Sequence, residues 1–315
     1  MRVFAVAALI LFSAAAAAQG YPNKPIRLVV GYPPGGSGDF TTRLIADELS
    51  KDLGTTVIVE NKPGAGGSIA SEFVAKSAPD GYTLLNQGNH AIARNLYKDL
   101  GYDQKDFIPV CRVAVGTTIL VVKTDAPFGN LKELIDHAKA NPGKLFSASA
   151  GFGSAPHLAS VAFESAAGIK FTTIQFKGGG PASLSLLAGD TQVMFATSPT
   201  VTGFIKGARM RPLVVSMRKG SPSIPGIPGT EEAGAPFDST FWFGLYVPAG
   251  TPAEIVKRLH AAAAKGLAKQ EVRDKILLQG MDPAPSASPE AFAAEIAAEV
   301  PAIERSIRES GAKVD

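Results

Sequence analysis

The segment from Arg27 to Phe40, RLVVGYPPGGSGDF, sets Gly35, Gly36, Ser37 and Gly38 between an apolar run and Asp39. Glycines let backbone N–H groups approach a ligand with no Cβ in the way. Ahead of a helix, those groups also sit at the positive end of its dipole. The chemistry on offer is a seat for a carboxylate or other small anion. Tyr32 and Pro33 border the loop. Asp39 reads as the N-cap of the helix that follows, taking up one or two first-turn amides and leaving the glycine amides ahead of it for the anion. If the ligand carried an ammonium group, Asp39 would be its first partner.

One such loop reads equally as a bare strand-to-helix turn. A second one changes the balance: SASAGFGSAPH supplies Ser149, Ala150, Gly151, Phe152, Gly153 and Ser154, with His157 a turn later. Three shorter stretches add to it. FKGGGPA carries Lys177, Gly178 and Gly179, FATSPT carries Thr197 and Ser198, and NQGNHA carries Asn86, Asn89 and His90. In open α/β sheets ligands bind outside the carboxyl ends of strands, where all these loops fall. Hydroxyls and amides from Gly36, Ser37, Gly38, Ser149, Gly153 and Ser154 would hold carboxylate oxygens, and Tyr32 and Phe152 would cover an apolar ligand body.

Enzymatic patterns are missing. No GxxxxGK[ST], G-x-S-x-G or H-E-x-x-H string occurs, and the four histidines, His90, His137, His157 and His260, show no metal-ligand spacing. A dinucleotide site would use Glu60, 24 residues after Gly36, but the G-x-G-x-x-G spacing fails because Thr41 stands where the third glycine belongs. The expectation is therefore no cofactor, no metal and no catalysis. An exported α/β enzyme acting on a carboxylate, using His90 or His157, is the rival reading.

The loops need strands and helices to present them. IRLVVGY is continuously apolar, as in a strand covered on both faces. FTTRLIADELSKDLG then places Leu44, Ile45, Leu49 and Leu53 on one helical stripe, with Gly54 as the stop. TVIVE, a loop and helix, and YTLLNQ complete a βαβαβ run and predict a parallel sheet. From ILVVKTD onward the same alternation returns, with Asn130 capping the first helix. Two extended passages, PVCRVAVGTTILVV and STFWFGLYVPAG, flank this second unit and read as hinges. Thr251, Pro252 and Glu254 resemble a capping box for the next helix, and the tail reads as a long helix kinked at Pro301. The predicted fold class is α/β, two doubly wound domains joined by two extended hinge segments. Residues 19–118 and 244–285 form one domain and 119–243 the other, with a helix over 286–315 packing back.

The first residues, MRVFAVAALILFSAAAAAQG, have the layout of a secretory signal peptide over 1–18, cut near Ala18, which predicts export. The chain of 315 residues has net charge +3 with no Lys/Arg run, so nucleic acid is not an expected partner. Its single cysteine, Cys111, forbids an internal disulfide and reads as a buried strand residue. A monomer is expected.

Taken in order, YPNKPIRLVVGYPPGGSGDFTTR, VIVENKPGAGGSIASEFVAKSAPDGYTLL, GSAPHLASVAFESAAG and QFKGGGPASLSLLAGD resemble the hallmark segments of the tripartite tricarboxylate transporter substrate-binding family, the TctC or Bug receptors. The resemblance covers nearly the whole chain beyond residue 18. It implies a periplasmic-binding-protein-like Venus flytrap that closes on di- or tricarboxylates, aromatic acids or amino acids and serves membrane transporter subunits or a sensor protein. It also places ligand loops at Tyr32 to Asp39, Ser149 to His157, and Lys177 to Gly180. Where many relatives carry an aspartate after the MF strand, this chain has Ala196 and Thr197, a departure that bears on which acid is bound.

Overall fold

The computed structural model describes residues 20–88 and 100–309. The expected leader over 1–18, together with Asn89 and His90, lies outside the described residues.

The predicted βαβαβ run is present. Strands β1 (Ile26–Val30), β2 (Val57–Asn61) and β3 (Thr83–Gly88) are parallel, with β1 between the other two. Helix α1 (Ser37–Leu53) follows β1, and α2 (Ser68–Ala75) leads to β3. The stripe of Leu44, Ile45, Leu49 and Leu53 is buried in the core of this half. Gly54 ends α1 in the left-handed conformation that a Cβ would strain, its N–H donating to the Ser50 carbonyl at 3.1 Å.

The second half holds α3 (Leu131–Ala140), β5 (Phe146–Ser149), α4 (Ala155–Ala167), β6 (Thr172–Gln175), α5 (Gly179–Ala188), β7 (Val193–Thr197), α6 (Ser198–Lys206) and β8 (Met210–Val215). Asn130 caps α3 as predicted, accepting from the Glu133 N–H at 3.0 Å. Strand β5 lies parallel to β6 and β7.

Strand β4 (Phe107–Lys123) runs through both halves, and the chain returns to the first half between β8 and β9 (Thr240–Pro248). The 17 residues of β4 reach roughly 55 Å at the rise of an extended chain, enough to cross the molecule. Phe107 to Thr117 pairs antiparallel with β9, and Ala114 to Gly116 also pairs with β10 (Met281–Pro283). From Thr118 onward the same strand pairs antiparallel with β7 and β8. The ten strands thus form one sheet, ordered β2-β1-β3-β9-β4-β7-β5-β6, with β8 and β10 attached to β4. Apolar clusters sit on either side of the crossover. Leu28, Leu49, Val113 and Leu245 belong to one half, and Leu120, Phe163, Phe195 and Val214 to the other.

At the crossover a buried serine ties the passing chains. The Ser216 hydroxyl meets Thr117 Oγ1 at 2.8 Å, Thr118 Oγ1 at 2.9 Å and the Thr118 N–H at 3.0 Å. It donates to the Ser239 carbonyl at 2.6 Å, next to the start of β9.

Three local expectations concern the helix ends and the cysteine. The capping box does not form: α7 (Ala253–Leu267) starts after Pro252, and Thr251 donates its hydroxyl to the Pro248 carbonyl at 2.7 Å. A proline at the cap position fixes the entry angle without any side-chain acceptor, which leaves Thr251 free to close the preceding turn. Cys111 is fully buried on β4, and burial pushes its thiol up to about 11. The long terminal helix is α9 (Pro289–Glu309), after α8 (Gln270–Leu278), with Pro301 inside it. Its Phe292 and Ile296 pack against Trp242 and Tyr246.

Candidate ligand-binding site

The loop after β1 is held open by Asp39, though not as a cap. Helix α1 begins at Ser37, with Gly36 in the cap position and no side-chain cap. Asp39 therefore sits inside the first turn, which corrects its assignment as the N-cap. Its carboxylate accepts from the Gly35 N–H at 3.1 Å, from Asn61 at 2.9 Å and from Arg43 Nε at 3.0 Å. Asn61 also donates to the Tyr32 carbonyl at 2.9 Å, so the two side chains clasp both ends of the PPGG turn. Burial pushes the Asp39 carboxyl up, but the hydrogen bonds from Arg43, Asn61 and Gly35 outweigh it and hold it below the usual value. The Ser37 and Gly38 amides stay unclaimed by any cap. Ser37 is only 4% exposed, and its carbonyl accepts from the Thr41 hydroxyl at 2.9 Å.

The sharp start at glycine has a packing cause. A Cβ on Gly38 would stand 2.7 Å from Tyr32 Cδ2 and 3.3 Å from Phe243 Cε1, so only glycine lets α1 approach the Tyr32 ring. Tyr32 and Phe243 meet edge to face at 6.0 Å, and Phe243 and Phe241 at 5.6 Å.

These residues line one side of a cavity between the two halves. On its first-half side stand Tyr32, Pro33, Pro34, Gly36, Ser37 and Gly38. From the second half come Ala150, Ser154, Ala155 and Pro156, then Gly178, Gly179 and Gly180, then Met194, Thr197 and Thr200. Phe241 and Phe243, on strand β9 of the first half, form part of its wall. The enclosed room is about 50 Å³, a slender space. The halves touch at its edge: a Cβ on Gly178 would fall 2.3 Å from Pro33 Cγ.

Four helices begin at this cavity, α1 after Gly36, α4 after Ser154, α5 after Gly178 and α6 after Thr197. Each brings its positive dipole end to this space, with first-turn amides that lack intrahelical acceptors, except that Pro156, Pro181 and Pro199 carry no N–H and the His157 N–H is taken by Ser154. No lining side chain is ionisable at neutral pH. Ser154 is committed locally, donating to the Gly151 carbonyl at 2.7 Å and accepting from the His157 N–H at 3.4 Å. Thr197 and Thr200 share a hydrogen bond of 2.9 Å.

Of the residues singled out in the sequence, Tyr32, Pro33, Gly36, Ser37, Gly38, Ala150, Ser154, Gly178, Gly179 and Thr197 come together here. Others stand behind the lining. Gly35 and Asp39 border a separate groove with Arg43 and Gln279. Asn86 is fully buried against the Thr41 and Thr42 hydroxyls at 3.1 and 2.8 Å. Ser149 is buried with its hydroxyl 3.4 Å from the Gly151 carbonyl, and Ser198 bonds Thr202 at 3.2 Å. Gly151 and Gly153 supply left-handed backbone to the loop, and Phe152 stacks at 4.8 Å on His157 instead of lining the cavity. Nδ1 of His157 accepts the Gly153 N–H at 3.3 Å, and burial lowers its pKa to about 4, so the ring is neutral at pH 7. Lys177 is exposed just outside the lining.

Pro34, Ala155, Pro156 and Gly180 fall within the loop ranges that the family resemblance implied, whereas Met194, Thr200, Phe241 and Phe243 were not anticipated. Met194 and the two phenylalanines lie in strands whose unbroken apolar runs read as core, and only their place at a crossover strand or strand end marks them out.

Comparisons with known proteins agree with this geometry. Residues 41–311 match the family model described as the tripartite tricarboxylate transporter family receptor. A UPF0065 protein from the tcbD-tcbE intergenic region of Pseudomonas sp. strain P51 is 36% identical over 299 residues, covering 93% of this chain and 89% of that one. Among solved structures, R. palustris Rpa4515 with adipate superposes with a TM-score of 0.89 at 31% identity, over 93% of this chain and all of that one. The periplasmic binding protein BugD gives a TM-score of 0.87 at 32% identity, with coverage of 93% and 100%. The two-lobed α/β periplasmic-binding-protein architecture expected from the sequence is thereby shown.

Proposed function

The chain belongs to the tripartite tricarboxylate transporter family of receptors, and from that premise we propose that it is a periplasmic solute-binding protein that captures a small organic carboxylate and presents it to membrane transporter subunits. The observation that carries this reading is the convergence of four helix starts, from both halves, on one cavity whose lining has no carboxylate, lysine, arginine or histidine. Buried backbone N–H groups left without acceptors are costly, and a carboxylate supplies acceptors at the positive helix ends. The adipate held by the R. palustris relative fits the same reading.

The moving parts follow from the topology. Residues 119–243 would swing against 19–118 and 244–285 about β4 and β9, with the Gly178–Pro33 contact made on closure. A ligand bound better by the closed form shifts the population toward it, and the closed shape is what a transporter reads. Catalysis has little support: the Ser154 hydroxyl meets the backbone N–H of His157 and not its ring, and Nδ1 of that ring is engaged by Gly153.

The test is a thermal-shift screen of protein unfolded and refolded to strip carried-over ligand, against mono-, di-, tri- and aromatic carboxylates. Stabilisation of RT ln(1 + [L]/Kd), about 2.7 kcal/mol at a hundredfold excess over Kd, is readily seen. A selective shift, with the acid recovered unchanged, supports a receptor. No shift with any carboxylate overturns the proposal.

A further inference from the structure

Resting on that reading, we infer that the solute is a carboxylate without an ammonium group, carrying a hydrocarbon body that lies on Met194, Phe241 and Phe243. Three observations carry it.

The first is the balance of donors and acceptors. The cavity is fed by helix starts, which present N–H groups, and its lining holds no carboxylate. Its remaining side-chain acceptors are hydroxyl oxygens. They belong to Tyr32, Ser37, Ser154, Thr197 and Thr200 and all are neutral; those of Thr197 and Thr200 are bound to each other, and that of Ser154 is engaged at Gly151 and His157. An ammonium group brings three donors and no acceptor, so here it would be stripped of water, left without a charged partner, and set against positive dipole ends.

The second concerns the one acid that could have answered it. Asp39 lies two residues from Ser37, but its oxygens are filled by Gly35, Asn61 and Arg43, and it borders a different groove. It is therefore part of the clasp, not an amine receptor. The guanidinium of Arg43 also offsets its charge, so α1 keeps a positive end toward the cavity.

The third is the make-up of the anion-binding end. Ser37 lines the cavity beside first-turn amides of α1 that no side chain caps. Together with the methionine and phenylalanine wall, this makes a site with an anion-binding end and a dry surface. A hydrocarbon chain loses nothing against that surface, whereas an unpaired polar substituent would.

The experiment compares matched acids by isothermal titration on the full protein, refolded to remove bound solute: succinate with aspartate, glutarate with glutamate, adipate with 2-aminoadipate. Expected is a preference of tenfold or more for the acid lacking the amine in every pair that binds. An amino acid binding as tightly as its unaminated partner overturns the inference and leaves the receptor proposal standing. Failure of all six, along with every other carboxylate of the screen, overturns both. A second arm uses Thr200→Asp, which adds an acid to the lining in the first turn of α6, where a carboxylate suits the helix. The preference should then fall below twofold or invert. An unchanged tenfold preference in a variant with a cooperative melt overturns the explanation from missing acceptors. If that variant does not fold, the wild-type pairs decide.

Discussion

Replacing Gly178 by alanine probes whether the two halves close on each other. Gly178 has φ +120, a conformation open to glycine, and an added Cβ would stand 2.3 Å from Pro33 Cγ and 3.0 Å from Pro33 Cδ. Ordinary carbon contacts lie near 3.5–4.0 Å, so one half must withdraw by roughly 1.2–1.7 Å. The clash exists only when the halves meet. Overpacking of this kind costs about 2 kcal/mol, and charged to the closed state alone it raises Kd roughly 30-fold. The backbone strain at φ +120 burdens open and closed forms alike and needs its own control. Gly189→Ala supplies it, because Gly189 has φ +90 with no atom within 4 Å of an added Cβ. Both variants should lose thermal stability, and only Gly178→Ala should lose affinity. The assay is isothermal titration with whichever carboxylate gives the largest thermal shift. A Gly178→Ala protein binding within threefold of wild type would refute closure through the Pro33–Gly178 contact.

Two further outcomes are expected. His157 has a folded pKa lowered to about 4 by burial, so the unfolded chain takes up its proton first. Its contribution is complete above pH 6.5 and is lost as pH falls from 6.5 toward 4, about 3 kcal/mol in all. In urea titrations His157→Gln should flatten that part of the stability profile, and an unchanged slope would count against the buried neutral ring. Ser216→Ala removes the hydroxyl that joins Thr117, Thr118 and Ser239, leaving buried polar groups unpaired. Urea unfolding should show a loss of about 2–4 kcal/mol, and a loss under 0.5 kcal/mol would mean the crossover does not depend on it.

The elements were legible in the sequence where one physical demand dominated. The Leu44–Leu53 stripe and the stop at Gly54 needed only helical spacing and a left-handed residue, and both stand as read. The start of α1 was not legible because Gly36, Ser37 and Gly38 are poor helix formers, and the first good capping residue, Asp39, drew the boundary three residues too late. What places the start earlier is tertiary, namely the Asn61 and Arg43 contacts to Asp39 and the Tyr32 ring against Gly38. The glycine and serine part of the cavity was visible because such clusters are unusual at strand ends. Its apolar part was hidden, since Phe241 and Phe243 look no different from core residues until the start of β9 is seen to border the cavity. Ser216 was missed for a similar reason: a lone serine at the end of VVSM gives no sign that three chains meet on it.

The four helix starts around the cavity have an effect of their own when nothing is bound. Each is equivalent to about half a positive charge, and two halves of a molecule that face each other with like poles push apart. On the proposed reading the empty site is thus sprung, and a bound anion would act as its keystone. Common buffer anions should then serve as weak placeholders, so that affinities measured in phosphate read lower than those measured in a zwitterionic buffer at the same ionic strength.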